Sequence, residues 1–519
     1  MKFQSAVVAL LCGASPTLAS KRQHQQVLIV DTTPINVLES ESEYVQKQAA
    51  QSYTRLLANI RPNGAVQASP SSENPDYAYH WVRDAATVMS AVPVANATHA
   101  LFWKWAAFET TLQHTQNPSS PHFTLGEPKF NLDGSAYTRD WGRPQNDGPA
   151  TRVLALVRFA EMYLEQGGSL DKVRKYLYTP EMPALSVIKA DLEYVARVWD
   201  VQGVELWEEV RGDHYHTRLV QAAALFIGAR FANKMNDAGA ASYYTSKAHE
   251  VYRSIESNFW SVEKEYIQSS IRVQNGPAAK TSFLDVSVVL AAIYTRHAFS
   301  LAPPALSDST MHSFDGPQVL LTALQLASKM KELYTINQIR DDLAPGIGRY
   351  TEDVYDGYTT TGLGNPWFLA TLGYAELTFS LAHQFCRLGS ISRSASANPL
   401  MDKALSWILD GGFMGQSLSS PITPGISQHL SCIENSHEFQ NLIQNLTFAG
   451  DAYIARVRAH VPDHDGEVGN TVGSLSEQFH RDTGFMQGAV ELTWSHASFL
   501  TMKAARDDAM ESCSRVCGK

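Results

Sequence analysis

The sequence predicts an all-α protein built from about a dozen helices. Apolar residues recur at helical spacing through most of the chain, for example at positions i, i+3, i+4 and i+7 of residues 192–199. Strand-like alternation is scarce, and residues 265–273 are the best candidate for a short hairpin arm. No low-complexity linker divides the 519 residues, of which 44% are hydrophobic. We therefore expect one large domain over residues 30–519.

The helical pattern recurs along the chain between loops rich in polar and aromatic residues. In order, it covers residues 43–60, 84–93, 99–114, 149–165, 192–199, 219–227, 241–259, 283–298, 317–334, 366–386, 400–410, 449–459 and 488–506. Several connecting loops are long, and long loops inside a compact domain are usually functional. A dozen helices suit a double ring as well as a solenoid, and periodicity alone does not distinguish the two.

The first residues have the features of an export signal. Lys2 supplies a positive start, residues 6–14 are largely apolar, and small residues follow at 17–19. We expect a signal peptide over residues 1–19, with cleavage near 19–22. The apolar stretch is too short for a membrane helix, and no later stretch is long enough. The sequence therefore predicts a secreted protein, with retention in the cell wall or a vacuole left open.

The cysteines and glycosylation sequons fit an exported protein. Removal of the signal also removes Cys12 and leaves an even number of cysteines, as is usual in an oxidising compartment. These are Cys386, Cys432, Cys513 and Cys517. Three pairings are possible, and the sequence does not choose among them. Two sequons predict N-glycans at Asn96 and Asn445.

The charge pattern excludes nucleic acid as a partner. The formal net charge is -10 and no basic run occurs, whereas a phosphate backbone requires clustered Lys and Arg. No metal site is expected, because His214 with His216 and the acidic residues 463–467 lack a recognised ligand set. No phosphate-cradling glycine loop or nucleophile elbow is present, so we predict no cofactor. We expect a monomer that acts on a neutral substrate.

Five loop segments mix aromatic residues with Arg, Asp, Asn, Gln and Glu. They are residues 77–84, 137–149, 206–210, 349–353 with 364–368, and 474–479. An aromatic ring packs on the C–H face of a sugar, while charged neighbours make strong hydrogen bonds to its hydroxyls. The combination favours a carbohydrate ligand over an apolar one.

Each of these features also has a purely structural interpretation. Glu208 and Glu209 are adjacent carboxylates that commonly form a solvated face, and Arg83 with Asp84 can be a structural ion pair. If the glutamates instead lie in a closed pocket, burial and like charge raise the pKa of one of them, as a general acid requires. Glycoside hydrolysis needs a second carboxylate, for which Glu477 is a candidate among many.

Taken together, the segments resemble the ordered motifs of fungal and yeast glucoamylases, glycoside hydrolase family 15. The matching motifs are YHWVRD at 79–84, WGRPQNDG at 141–148, LWEEV at 206–210, RYTED at 349–353, NPWF at 365–368 and SLSEQ at 474–478. Their order and approximate spacing agree from about residue 30 to residue 505.

The resemblance implies an (α/α)6 barrel that releases β-D-glucose, with inversion, from non-reducing ends of starch, dextrins and maltooligosaccharides. It also implies slower cleavage of α-1,6 bonds. Glu208 takes the role of general acid and Glu477 that of general base. The implied substrate-binding residues are Tyr77, Trp81, Arg83, Asp84, Trp141, Trp207, Glu209, Arg349, Trp367 and Trp494.

The sequence also departs from the family pattern. Arg211 stands where Asn is common, and would favour ionised Glu208 if it pointed inward, although a solvent-facing position is expected. Arg139 and Asp140 replace small residues, which leaves binding beyond the first glucose open. No starch-binding module is recognised, so soluble dextrins are the expected substrate. The alternatives are an inactive glucan-binding protein and a barrel enzyme for another sugar, such as trehalose or a glucuronide.

Overall fold

The computed structural model describes residues 40–301, 312–392, 399–417, 429–431, 436–462 and 471–515. The expected export signal, the acidic residues 463–467, Cys432 and Cys517 lie outside these ranges. Fifteen α-helices dominate the part of the chain that is described. They are α1 (Glu41–Ala58), α2 (Val82–Ala91), α3 (His99–His114), α4 (Gly148–Glu165), α5 (Leu170–Tyr176), α6 (Val187–Val198), α7 (Tyr215–Lys234), α8 (Ala238–Asn258), α9 (Ser287–Ser300), α10 (Pro317–Leu333), α11 (Thr335–Ile339), α12 (Phe368–Leu388), α13 (Pro399–Leu409), α14 (Ser436–Arg458) and α15 (Thr493–Arg515).

Local signals explain several helix ends. The Ser40 side chain accepts a hydrogen bond from the Glu43 backbone N–H, and the Glu43 carboxylate accepts one from the Ser40 backbone N–H, so a capping box starts α1. Pro149 stands in the first turn of α4, where its missing N–H removes no helical hydrogen bond. Helix α12 ends at Gly389, whose φ of 65° is left-handed and suits glycine.

Six helices form a closed inner ring. Helix α2 contacts α4, α4 contacts α7, α7 contacts α9, α9 contacts α12, α12 contacts α15, and α15 returns to α2. The remaining long helices pack outside this ring and alternate with it along the chain. These outer helices are α1, α3, α6, α8, α10 and α14. The double ring is the (α/α)6 barrel that the family resemblance implied.

The inner helices share one direction around the ring, because each is preceded by an outer helix that returns the chain. Their N-terminal ends therefore meet at one end of the barrel. The loops that enter these helices include Trp81, Asp147, His214, Asp285 and Trp367. The positive ends of the helix dipoles at this end of the barrel stabilise acidic side chains.

The strands are short and pair with one another in the segments between the helices. They are β1 (His80–Trp81), β2 (Lys129–Phe130), β3 (Gly203–Val204), β4 (Arg211–His214), β5 (Trp260–Ser261), β6 (Tyr266–Ile267), β7 (Ser270–Asn275), β8 (Ser390–Ser392), β9 (His429–Ser431), β10 (Gln478–Phe479) and β11 (Met486–Gln487). All pairs are antiparallel: β1 with β2, β3 with β4, β4 with β7, β5 with β6, β8 with β9, and β10 with β11.

The hairpin arm predicted over 265–273 is confirmed in part. Strand β6 forms a hairpin with β5, whereas β7 pairs with β4, which lies much earlier in the chain. The alternation of the sequence correctly predicts extended chain, but it does not indicate the partner of β7.

A disulfide links two inner helices. Cys386 near the end of α12 is bonded to Cys513 near the end of α15, which selects one pair among the possibilities left open by the sequence. In the ranges that the structure describes, no helix is long and apolar enough to cross a membrane.

Candidate active site

One cavity gathers all twelve residues predicted for catalysis and substrate binding. It has a volume of about 350 Å³ and lies where the inner helices begin. Its lining includes Tyr77, Trp81, Arg83, Asp84, Trp141, Trp207, Glu208, Glu209, Arg349, Trp367, Glu477 and Trp494. These residues come from segments up to 417 positions apart (Tyr77 to Trp494). The fold therefore assembles one site from the five motif-bearing loops and the start of α15, which contributes Trp494.

Glu208 stands on a strained turn before β4. Its φ of 68° lies in the left-handed region, which is uncommon for a residue with a side chain. The buried carboxylate of Glu205 accepts hydrogen bonds from the backbone N–H groups of Trp207, Glu209 and Val210. Burial raises the pKa of the Glu205 carboxyl to about 7, although nearby Lys280 opposes the shift. Glu205, which does not line the cavity, therefore stabilises the turn that carries Glu208.

The two oxygens of the Glu208 carboxyl have different surroundings. Oε1 accepts hydrogen bonds from Trp81 Nε1 and Gln145 Nε2, each at 2.9 Å. Within the described ranges, Oε2 has no protein partner. Indole and amide N–H groups are obligatory donors, so a proton on Glu208 must reside on Oε2.

Arg83 and Asp84 lie on the first turn of α2. Arg83 NH1 donates to Gln145 Oε1 at 2.7 Å and to Asp147 Oδ2 at 3.2 Å, so much of the guanidinium is engaged with the protein. Burial raises the pKa of the Asp84 carboxyl to about 6, with the negative charges of Glu208 and Asp147 adding to the shift and Arg83 opposing it. Arg83 therefore fixes the position of Gln145 and Asp147 through hydrogen bonds. Asp84 is half-buried and is the hydrogen-bond acceptor in this part of the cavity lining.

Glu209 and Arg349 form a second polar part of the cavity lining. Arg349 NH2 donates to Glu209 Oε1 at 2.7 Å, and Tyr350 Oη donates to Glu209 Oε2 at the same distance. The guanidinium is also held by Asp353 through two hydrogen bonds of 2.8 and 2.6 Å. Charge-assisted bonds of this kind fix the side chains in one orientation. Glu209 is thereby restrained as an acceptor beside the Glu208 turn.

Glu477 is buried between two phenols. Tyr77 Oη donates to its Oε1 at 2.9 Å, and Tyr355 Oη donates to its Oε2 at 3.3 Å. Burial raises the pKa of the Glu477 carboxyl to about 7, while the bond from Tyr77 and the charge of Arg349 act in the opposite direction. Gly488, with φ 73°, allows this packing, since a Cβ there would lie 2.3 Å from Glu477 Oε2.

Tryptophans form much of the remaining wall. Trp207 Nε1 donates to Asp285 at 3.0 Å, and Trp494 Nε1 donates to Tyr294 Oη at 2.9 Å. The rings of Trp207 and Trp367 are 5.5 Å apart at a tilt of 59°. Because their polar edges are bonded into the protein, Trp207 and Trp494 present apolar ring surface to the cavity, as a sugar face requires.

A larger cavity, of about 710 Å³, lies at the opposite end of the barrel. It is lined by the later turns of the inner helices and by none of the twelve predicted residues. Its buried acid Glu376 is already bonded to Arg296 and Thr501. Size alone therefore does not identify the site, because the smaller cavity holds all twelve of the predicted residues.

Other sequence expectations can be compared with the structure. The Arg211 guanidinium donates to the backbone carbonyls of Gln202 and Arg143 and makes no contact with Glu208. His214 is bonded to Ser270 Oγ and to a backbone carbonyl, and burial lowers the pKa of His216 to about 4. No group of three potential metal ligands occurs in the described ranges.

Sequence reasoning did not single out several residues that shape the site. Gln145 holds Glu208, Glu205 holds its turn, and Tyr355 holds Glu477. Gln145 lies inside the WGRPQNDG motif, and this is the only feature of the sequence that points to a role in the site. Glu205 and Tyr355 gave no signal, because a single glutamate or tyrosine is common in any chain.

The family model for glycosyl hydrolases family 15 matches residues 43–504. The glucoamylase of Blastobotrys adeninivorans is 34% identical over 460 residues, which cover 86% of this chain and 67% of that protein. Glucoamylase 1 of Rhizopus oryzae is 35% identical over 478 residues, covering 90% of this chain and 71% of the relative.

Solved structures show the same fold. The glucoamylase of Saccharomycopsis fibuligera matches with a TM-score of 0.74 at 31% identity, covering 91% of this chain and 96% of that chain. The glucoamylase of Hypocrea jecorina also gives 0.74, at 30% identity, covering 90% and 72% of the two chains. Sequence and fold agree: the chain belongs to glycosyl hydrolases family 15 and is a glycoside hydrolase of the glucoamylase type.

Proposed function

We propose that the protein is an exo-acting, inverting glucoamylase that cleaves terminal α-1,4 bonds, and more slowly α-1,6 bonds, of starch, dextrins or maltooligosaccharides. The product is β-D-glucose. The proposal rests on one observation: Glu208 and Glu477 line a single aromatic-walled cavity, and Glu208 has one oxygen fixed and the other without a protein partner.

Glu208 is the general acid in this mechanism. Its Oε1 is occupied by two N–H donors, so the acidic proton lies on Oε2. That proton passes to the glycosidic oxygen as the bond to the anomeric carbon breaks, and positive charge develops on the sugar ring. The leaving glucan then departs as an alcohol, and Glu208 is left ionised until it takes a proton from water.

Glu477 is the general base. It takes a proton from a water molecule whose oxygen attacks the anomeric carbon on the face opposite to the leaving group, which inverts the configuration. Glu477 then releases this proton to the solvent while Glu208 regains one, so both carboxyls return to their starting states. Such a mechanism requires the two carboxyls to be about 6.5–9.5 Å apart so that the water fits between them. The phenols of Tyr77 and Tyr355 orient the base.

The polar walls supply recognition of the terminal glucose. Asp84 and the Glu209–Arg349 pair offer acceptors and a donor for vicinal hydroxyls. Trp207 and Trp494, held by their bonds to Asp285 and Tyr294, add apolar ring surface for the sugar face.

The decisive experiment is hydrolysis of maltooligosaccharides followed by NMR of the anomeric protons. Initial β-glucose supports the proposal, α-glucose contradicts inversion, and the absence of product favours a glucan-binding protein. Glu208→Gln and Glu477→Gln should each lower kcat by about 10²–10⁴-fold, the usual contribution of general acid–base catalysis. Both should still bind maltooligosaccharide.

Glu193→Gln is the matched control. Like Glu208 it is half-buried, and its carboxylate accepts a hydrogen bond from Tyr244 Oη at 2.7 Å, but it lies outside the cavity. Turnover in this variant should equal that of the unmodified protein. Unchanged turnover in Glu477→Gln would refute the assignment of the base.

Export and N-glycosylation are part of the proposal. The Cys386–Cys513 bond suits an oxidising compartment, and Asn96 is exposed in a turn before α3. Asn445 is half-buried on α14, with Nδ2 bonded to the Leu409 carbonyl, so Asn96 is the more accessible acceptor. N-terminal sequencing of the protein from culture medium should start near residues 20–22, and glycosidase treatment should lower its mass. An unprocessed N-terminus or an unchanged mass would contradict the respective expectation.

A further inference from the structure

The ammonium of Lys129 lies in a cage of four aromatic rings beside the candidate active site. Its Nζ is 3.6 Å from the ring centroid of Trp141, 4.3 Å from that of Trp81, and 4.2 Å from those of Tyr79 and Tyr137. Strand pairing sets this position, because Lys129 on β2 is opposite Trp81 on β1.

The Lys129 ammonium in the cage is buried and has no carboxylate partner among the described residues. Lys129 is 1% exposed, and among the residues described no acid forms an ion pair with its Nζ. A cation over aromatic faces is stabilised most strongly when both are removed from water. Four rings around one ammonium therefore replace much of the hydration that the lysine has lost.

Two of the four rings belong to the cavity wall. Trp81 and Trp141 line the cavity, with ring centroids 6.0 Å apart, and Trp81 also donates to Glu208. Under the proposed function, Glu208 protonates the leaving oxygen, so the wall next to it borders the leaving part of the glucan. The orientation of these two rings thus controls the surface offered to glucose units beyond the first.

We propose that Lys129 is a positioning residue whose ammonium fixes the Trp81 and Trp141 rings and so sets the affinity for the leaving part of the glucan. This inference rests on the proposed function. Lys129 itself makes no contact with substrate in this scheme. It acts through the two tryptophans.

The charge of Lys129 can be removed by pH as well as by mutation. Burial lowers the pKa of its ammonium to about 8. Glu208 and Asp76 oppose this shift, whereas the positive charges of Arg143 and Arg139 add to it. Lys129 is therefore charged at neutral pH and loses its proton as the pH rises through about 8. Loss of the charge should release the rings and change their fluorescence.

Lys129→Met tests the proposal, because methionine keeps much of the length of the side chain without its charge. We expect kcat/KM for maltopentaose to fall at least fivefold more than kcat/KM for maltose. The tryptophan emission of the unmodified protein should change with a midpoint near pH 8, and this step should be missing in the variant. Equal losses for both substrates, or a step retained in Lys129→Met, would overturn the proposal.

Lys172→Met is the matched control. Lys172 also lies over a tryptophan, 4.1 Å from the Trp103 ring centroid, but it is exposed and remote from the cavity. This variant should keep both the substrate ratio and the emission step, and loss of either would contradict the role given to Lys129.

Lys129→Arg keeps the experiment decisive if the methionine variant does not fold. Arginine retains the charge at all accessible pH values. It should preserve tryptophan emission at neutral pH and abolish the step near pH 8, and a retained step would exclude Lys129 as its source. If the unmodified protein hydrolyses no maltooligosaccharide, the proposed function fails, but the emission titration still tests the cage.

Discussion

The two carboxylates of the cavity are held by donors of different kinds. Glu208 accepts from an indole and an amide, which cannot reverse a hydrogen bond. Glu477 is bonded by two phenols, which can donate to a carboxylate or accept from a carboxylic acid. Glu208 is therefore fixed in the orientation of its proton, whereas Glu477 can change its protonation state without losing its partners. This difference suits the proposed roles, in which Glu208 donates a proton in one fixed direction and Glu477 accepts a proton from water.

The environment of Glu477 predicts an unusual pH dependence. As the proposed base, Glu477 would act only when ionised, and burial raises the pKa of its carboxyl to about 7, so activity should rise with pH up to that region. The bond from Tyr77 lowers this pKa, and Tyr77→Phe removes it. The acid limb of kcat/KM should therefore move to higher pH by about one unit, since a hydrogen bond to a charged group contributes on the order of 1.5 kcal/mol. The measurement is a pH profile of kcat/KM on maltotriose.

Tyr79→Phe is the control for this profile. The Tyr79 hydroxyl donates to the exposed Asp76 and not to Glu477, and phenylalanine keeps the ring. Its acid limb should match that of the unmodified protein. An unshifted limb in Tyr77→Phe would mean that Glu477 does not set it.

Individual site residues were predictable only where they belonged to a recognised motif. Only the family resemblance predicts Glu208 and Glu477 as the catalytic pair, since nothing in composition separates them from other glutamates. Gln145 and Tyr355 reach these carboxylates across 63 and 122 positions of the chain. Contacts over such distances are set by the packing of helices, which periodicity does not encode.

At the scale of elements, the helices were predictable and the turns between them were not. Buried faces repeat along α7 and α12 because each contacts several neighbouring helices, and that repetition is visible in the sequence. The Glu208 turn owes its shape to a side chain, Glu205, accepting three backbone hydrogens. A turn held in this way has no periodic signature.

The role of Glu205 in the Glu208 turn leads to a separate prediction. In Glu205→Gln, one of the two acceptor oxygens becomes an NH₂ group, which cannot accept the backbone N–H that it faces. The left-handed Glu208 should then relax, and kcat should fall about 10–100-fold, with a loss of about 1–3 kcal/mol in stability from the unsatisfied donor. Turnover and thermal unfolding measured on the same samples separate the two effects.

Glu193→Gln again serves as the comparison, because it alters a half-buried, hydrogen-bonded glutamate away from the turn. It should leave kcat unchanged. A Glu205→Gln protein with full turnover, or with a loss no greater than its unfolded fraction, would show that the turn does not depend on this carboxylate.

For the whole molecule, the number of helices was predictable but the closure of the ring was not. About a dozen helices were expected, and fifteen are present in the described ranges, of which α5 and α11 are short. Closure depends on α15 packing against α2 from the other end of the chain. That contact joins residues more than 400 positions apart, so only the family resemblance pointed to it. The same closure brings Trp494 and Trp81 into one cavity.

The disulfide should stabilise this closed ring without affecting catalysis. Cys386 and Cys513 join α12 to α15 near their C-terminal ends, whereas the cavity lies at the N-terminal ends. The bond closes a loop of 127 residues, and removal of a native disulfide typically costs about 2–5 kcal/mol. The double variant Cys386→Ser, Cys513→Ser should therefore unfold at a lower temperature at the same heating rate. Its kcat on maltotriose at 25 °C should remain within about twofold, because no cavity residue is bonded to either cysteine. A variant with an unchanged unfolding temperature but lost turnover would contradict the expectation that the disulfide contributes to stability and not to catalysis.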